Sequence, residues 1–187
     1  MIPSTWSSVG QSLAAFNGKL YAAWKGMGSD ETLWYSSFDG TNWAAQKQIP
    51  STWSSVGPSI AAYKGKLYAF WKGMGTDHTI WYTSTADGNS WAAQMVLPQG
   101  ILTRTGPLVA MFGAQMYVVW DTPAGQMHYT STGDGEYYGF GDHVEEGLPD
   151  YMATSRIPSV AVYNGSLVFA WKGQGNDKRI WLTKTSF

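Results

Sequence analysis

One heptapeptide recurs along this chain and constrains its fold more than anything else in it. Trp24-Lys25-Gly26-Met27-Gly28-Ser29-Asp30 returns as Trp71-Lys72-Gly73-Met74-Gly75-Thr76-Asp77 and again as Trp171-Lys172-Gly173-Gln174-Gly175-Asn176-Asp177. Trp24 and Trp71 are 47 residues apart, Trp120 stands 49 after Trp71, and Trp171 stands 51 after Trp120. The chain therefore reads as four copies of one unit, the third degenerate. A period of this length means a solenoid, a propeller or an array.

Units one and two align residue for residue. Each opens on a polar link, Ser4-Thr5-Trp6-Ser7-Ser8-Val9-Gly10 or Ser51-Thr52-Trp53-Ser54-Ser55-Val56-Gly57. A small-residue apolar run follows, Ser12–Phe16 or Ser59–Tyr63, then a hairpin dipeptide, Asn17-Gly18 or Lys64-Gly65. A second strand is expected over Lys19–Trp24 and Lys66–Trp71, and a third over Thr32–Ser36 and Thr79–Thr83. The fourth is expected to start at Trp43 or Trp91 and to end near Ile49-Pro50 or Leu97-Pro98. Four short strands with a turn signal about every ten residues make a meander, and meanders at a period of about 40–50 residues are propeller blades. The expected fold is all-β: one four-bladed β-propeller domain over 1–187, with repeats at about 4–50, 51–98, 99–149 and 150–187 plus 1–3. Met1-Ile2-Pro3 aligns with Gln48-Ile49-Pro50, so the N-terminus is a candidate to complete the last blade. The alternative is an open blade edge that pairs with another subunit, making a homo-oligomer.

Alternate connections of a meander lie at the same end. The loops Lys25–Asp30, Lys72–Asp77 and Lys172–Asp177 thus share a face with the links that carry Trp6 and Trp53. An aromatic ring, a cation, a carboxylate and hydroxyls gathered there suit a polyhydroxylated ligand. The candidate ligand-binding residues are Trp6, Lys25, Asp30, Trp53, Lys72, Asp77, Lys172 and Asp177. The same residues also have an architectural reading. Gly26 and Gly28 suit a tight loop, Asp30 can cap backbone N–H groups, and Lys25 can pair with Asp30. In unit three Trp120 is followed by Asp121-Thr122-Pro123-Ala124-Gly125, with no Lys-Gly pair and no equivalent aspartate. That tolerated loss favours a binding role for the motif, with three competent copies and one silent one.

Composition narrows the function. Net charge is −1 and only 13% of residues are charged, so no basic stripe invites nucleic acid. Without cysteine there is no disulfide or thiolate chemistry. No stretch approaches the roughly 18 apolar residues of a membrane span, and Met1-Ile2-Pro3-Ser4 has none of the features of a secretory signal. His78, His128 and His143 lack metal-ligand spacing, so neither a metal nor a cofactor is expected. No catalytic set is visible among Glu31, Glu136, Glu145 and Glu146. Eleven tryptophans with little charge are what carbohydrate binders carry, and extracellular action would fit a glycan partner.

Ser37-Phe38-Asp39-Gly40-Thr41-Asn42-Trp43 and Thr85-Ala86-Asp87-Gly88-Asn89-Ser90-Trp91 resemble the Asp-box of sialidase-like propellers, one residue short between Asp and Gly; Thr132–Tyr138 is a weaker copy. In that family the box is a structural turn on the face away from the active site. The tandem repeats also look like those of bacterial sialidase-like propeller proteins, and the architecture is similar to tachylectin-type propeller lectins. The sialidase arginines are not matched: Arg104, Arg156 and Arg179 stand at non-equivalent places in units three and four. The resemblance and the residues together imply a non-catalytic, multivalent, lectin-like module that binds glycans or glycoconjugates. A hemopexin-like scaffold for protein partners is the alternative, and a glycosidase ranks third.

Overall fold

In the computed structural model of the chain, the described residues are 2–97, 100–135, 146–147, 153–154 and 156–185. All of their regular structure is β, and among them no helix is long and apolar enough to cross a membrane. Contacts divide the chain into two compact units, Met1–Leu97 and Pro98–Phe187.

The first unit holds two four-stranded antiparallel sheets. One is β1 (Ser12–Phe16), β2 (Lys19–Lys25), β3 (Thr32–Phe38) and β4 (Lys47–Trp53), ordered β1-β2-β3-β4. The other is β5 (Ser59–Tyr63), β6 (Lys66–Lys72), β7 (Ile80–Thr85) and β8 (Met95–Val96), ordered β5-β6-β7-β8. The hairpins close where the dipeptides predict. Asn17 and Gly18 have φ of 47° and 71°, and Lys64 and Gly65 have 42° and 75°. Two successive positive φ values make the turn whose twist matches that of the flanking strands.

The strand alternation explains the core. In β2, Tyr21 and Ala23 face one side and Ala22 and Trp24 the other, and all four are buried. Phe16, Tyr21, Leu33, Tyr35, Ile49, Ile60, Leu67 and Trp71 form the core of this unit. The two sheets are also tied by the Ile60 backbone N–H, which donates to Ser12 Oγ at 3.0 Å.

The second unit holds β9 (Leu108–Phe112), β10 (Gln115–Asp121), β11 (Met127–Thr132) and β12 (Glu146–Gly147) in one antiparallel sheet. Its other sheet is β13 (Ser159–Tyr163), β14 (Ser166–Lys172) and β15 (Ile180–Thr185), ordered β13-β14-β15. Tyr117, Val119, Met127, Leu167, Phe169 and Trp171 pack together as its core.

The fourth strands depart from expectation. Trp43 and Trp91 make only isolated bridges, to Phe38 and Thr85. The fourth strand proper starts later, at Lys47 in β4 and at Met95 in β8. β4 also runs on into the link, where Trp53 pairs with Thr32 across a bulge. The cause is local: Thr52 Oγ1 donates to Ile49 O at 2.7 Å, and Ser51 takes φ 57°, a side-chain turn that steps the chain sideways without ending the pairing. The second strands extend one residue further than expected, to Lys25 and Lys72. Of the segment 1–3, Met1 lies outside the described residues, and Ile2 and Pro3 are in no strand. Part of the third Asp-box copy, with Glu136, Glu145 and His143, also lies outside them.

Candidate functional site

Each heptapeptide folds into one closed loop between the second and third strands of its sheet. Lys25 is buried, and its Nζ donates to the carbonyls of Gly26 (3.2 Å), Gly28 (2.9 Å) and Asp30 (3.1 Å) and to Ser8 Oγ (3.4 Å). Lys72 repeats the pattern with Gly73 O (3.3 Å), Gly75 O (3.0 Å) and Ser55 Oγ (2.9 Å). Lys172 does so with Gly173 O (3.0 Å), Gly175 O (3.2 Å) and Asp177 O (3.1 Å). Burial lowers the pKa of the Lys72 ammonium, against the pull of Asp77 and Glu31.

The aspartates work on the other side of the loop. Asp30 Oδ1 accepts from Thr32 N at 3.0 Å and Oδ2 from Trp34 Nε1 at 3.0 Å. Asp77 accepts from Thr79 N and Trp81 Nε1, both at 2.8 Å. Asp177 accepts from Arg179 N (3.0 Å), Arg179 Nε (2.9 Å) and Trp181 Nε1 (2.8 Å). At Asp30 and Asp77 burial opposes ionisation, but the hydrogen bonds and the nearby lysine outweigh it and hold both carboxyls below the usual range. At Asp177 the Arg179 bonds act first, then Trp181, in the same direction. In the first and third loops lysine and aspartate are thus joined through the aspartate's backbone carbonyl. The expected side-chain pairing is replaced by a cage of carbonyls around the ammonium.

The glycine pattern follows from this packing. A Cβ at Gly26, Gly73 or Gly173 would overlap the aspartate carboxylate of its own loop. Gly28, Gly75 and Gly175 have φ near +60° (61°, 57° and 59°), where a side chain is strained.

The links that carry the two tryptophans reach these loops. Ser8 Oγ donates to Gly26 O at 3.3 Å and Ser55 Oγ to Gly73 O at 3.3 Å, which anchors each link to the loop of its own sheet. Ser54 N donates to Glu31 O at 2.8 Å, so the link holding Trp53 touches the first loop as well as the second. Trp6 is 68% exposed and Trp53 48%. Trp6 borders a groove of about 150 Å3 with Ile2, Thr5, Ser7, Gln11 and Trp24. In the first two repeats the links that hold Trp6 and Trp53 are thus bonded to the loops that hold Lys25, Asp30, Lys72 and Asp77. Lys172 and Asp177 sit in a third loop of the same construction, in the second unit.

Unit three is not merely stripped of the motif. Asp121, fully buried, takes the lysine's place at the end of β10. Its Oδ1 accepts from Thr103 Oγ1 (3.1 Å), Thr105 N (2.9 Å) and Thr105 Oγ1 (2.9 Å), and its Oδ2 from Arg104 Nε (3.1 Å). Arg104 precedes Asp121 by 17 residues, as Ser8 precedes Lys25 and Ser55 precedes Lys72. The charge at the loop root is inverted, and the neighbour in the link supplies the counter-ion. Arg104 Nη2 also donates to Thr154 O at 2.6 Å. Counting back from Asp121 by the spacing of the other units would have found Arg104.

A second cavity, of about 190 Å3, lies at the opposite end of the first unit's sheets. Tyr21, Tyr35, Lys47, Asp87 and Asn89 border it. These residues come from two sheets, and no pattern within one repeat announces them. Asp87 accepts from Asn89 N (2.8 Å), Ser90 N (2.7 Å) and Thr85 Oγ1 (2.9 Å), which is the geometry of a structural turn.

No protein-family model matches this sequence, and no curated protein matches it. Solved structures do. Zg3597, a family 117 glycoside hydrolase of Zobellia galactanivorans, superposes with a TM-score of 0.67 at 14% identity, over 96% of this chain and 66% of that one. The Bacteroides ovatus xyloglucan-locus protein GH43B gives 0.64 at 14%, over 98% and 40%. A variant of Aleuria aurantia lectin in complex with α-methyl-L-fucoside gives 0.62 at 13%, over 97% and 63%. This chain spans less than two thirds of each. Such likeness shows the fold: the antiparallel sheets are those of β-propeller proteins.

Proposed function

We propose that this chain is a non-catalytic, lectin-like carbohydrate-binding module whose four repeats are the blades of a four-bladed propeller. The observation that carries the reading is the pair of exposed indoles, Trp6 and Trp53, at equivalent positions beside the polar loops. An indole face covers the C–H face of a sugar ring while flanking polar groups take its hydroxyls. The loops Lys25–Asp30, Lys72–Asp77 and Lys172–Asp177 each contribute one site. Within it, lysine and aspartate fix the loop, and the outward lone pairs of the aspartate accept from the ligand. Several weak sites on one body gain through effective concentration.

A fucoside-bound lectin among the structural neighbours supports this reading. Most of the other neighbours are glycoside hydrolases, which favours hydrolysis as the second reading. The residues argue against it. Glycoside hydrolysis uses two opposed carboxyl groups, and each motif carboxylate is instead held by backbone and indole N–H groups.

The test is a glycan array followed by calorimetric titration with its best ligand, on the parent, Trp6→Ala, Trp53→Ala and the double variant. Each single change should lower the stoichiometry, and the double change should lower it further. Undiminished binding by a folded double variant would refute the assignment.

A further inference from the structure

We infer that the outer edge of β15 is a docking strip for the Ile2–Trp6 segment of a second copy of this chain. The argument rests on positions that the strand registers make equivalent. Leu33, Ile80, Met127 and Ile180 lie opposite Lys25, Lys72, Asp121 and Lys172 respectively. The first three are 0%, 0% and 1% exposed, whereas Ile180 is 74% exposed. Two residues on, Tyr35 and Tyr82 are buried and Leu182 is 70% exposed. Among the described residues β15 pairs only with β14.

The first two sheets show what covers this position. Ile49, itself fully buried, belongs to the same core as Leu33. Leu97, also fully buried, has its N–H donating to Ile80 O at 2.9 Å. The covering element in the first sheet is Ile49-Pro50-Ser51-Thr52-Trp53. That pentapeptide occurs once more, as Ile2-Pro3-Ser4-Thr5-Trp6. The second occurrence already has the shape of the first. Ser4 has φ 54° and Ser51 57°; Thr5 Oγ1 donates to Ile2 O at 2.9 Å and Thr52 Oγ1 to Ile49 O at 2.7 Å. The chain therefore carries a preformed covering segment and, elsewhere, an edge of the kind that segment covers. An edge with exposed apolar side chains and free backbone groups is a template for strand addition.

Docking in the register of β4 on β3 would place Ile2 on Ile180 and Trp6 beside Arg179, as Trp53 lies beside Thr32. Trp6 of the second copy would then flank the Lys172–Asp177 loop as Trp53 flanks the Lys25–Asp30 loop. Assembly would complete a third site with an aromatic ring that the loop lacks within its own link, where Ala153 stands at the Trp53 position. The site clause rests on the lectin reading; the docking itself does not.

The experiment is sedimentation of the full chain over a wide concentration range, with Ile2→Asp and Ile180→Asp variants. The parent should at least double its mass as concentration rises. Each variant alone should remain monomeric. Mixed together they should form a dimer and nothing larger, because one intact junction remains between them. A synthetic peptide of sequence Met1–Ser7 should dissociate the parent assembly, which covers the case in which a variant fails to fold. A parent that is monomeric throughout overturns the inference. So does a monomeric parent whose melting temperature both variants lower equally, which would mean that the segment closes on its own chain. Assembly unaffected by either variant or by the peptide overturns it as well.

Discussion

At Lys72 a positive charge is buried against carbonyl oxygens of its own loop. Replacing it with methionine keeps the aliphatic stem and strips these acceptors of their donor, and hydrogen bonds to charged groups are worth about 1.5–3 kcal/mol each. Lys72→Met should therefore lower stability by about 2–4 kcal/mol, read as a fall in denaturant midpoint; an unchanged midpoint would mean that the loop stands without its ammonium. The aspartates make a complementary prediction for pH. The folded chain holds the carboxyls of Asp30 and Asp77 below the ordinary aspartate range, so the unfolded chain binds protons first on acidification. Their contribution is fully present well above the ordinary aspartate pKa of about 3.9 and is lost as pH falls through that value toward the folded ones. Melting temperature should drop across that window, and more shallowly in Asp77→Asn; parallel acid slopes would refute the role of this carboxylate. The presence of a lysine and an aspartate in each loop was legible in the sequence, but the way they are joined was not. The spacing of Lys25 and Asp30 permits a side-chain pair as readily as a carbonyl cage. The cage goes with the left-handed turn at Gly28 and with the close packing of Gly26 against the Asp30 carboxylate.

At the scale of strands and loops, the hairpins were the most readable elements, because Asn17-Gly18 and its copies need two positive φ values and glycine supplies one of them without cost. The fourth strands were misplaced because Trp43 and Trp91 look like strand residues. In β4 the pairing runs on past the turn at Ile49–Thr52, where a threonine hydroxyl bonds the Ile49 carbonyl. The value of that strand can be measured. Leu33→Ala removes a side chain that β4 covers and should cost about 2–5 kcal/mol, whereas Ile180→Ala at the equivalent exposed position should stay within about 0.5 kcal/mol in the monomer. Equal costs would mean that Ile180 is covered in solution. The inverted loop root at Asp121 in the third repeat gives a second comparison. Asp121→Lys leaves Arg104 facing a like charge and should cost about 3–5 kcal/mol. Adding Arg104→Ser recreates the lysine–serine root of the first two repeats and should recover part of the loss. A double-mutant cycle checks this, and strict additivity would show the two residues to be uncoupled.

For the molecule as a whole, the tandem period made the all-β repeat architecture readable, and the neighbours that share it are propeller proteins. What the period could not convey is contact between repeats, such as the cavity that Tyr21 and Tyr35 share with Asp87 and Asn89. Such a cavity depends on how sheets stack, and a residue pattern within one strand carries no record of that. The functional prediction at this scale is inactivity toward glycosides. Incubation with chromogenic glycosides and sialosides should give no turnover above the blank, and turnover abolished by replacing Glu31 would put the hydrolase reading ahead of the lectin one.

The Arg104–Asp121 pair has a consequence for module exchange. The first two repeats share one polarity at the loop root, lysine with a serine in the preceding link, and can in principle stand in for each other. The third carries the opposite polarity, and its arginine also grips the Thr154 carbonyl in the segment leading to the fourth. A shuffled chain with this repeat moved elsewhere would keep the internal ion pair but present the guanidinium to a neighbour with which it was never matched. The repeat order is thus keyed, like a plug with one reversed pin, and libraries that permute these units should tolerate exchange of the first two far better than displacement of the third.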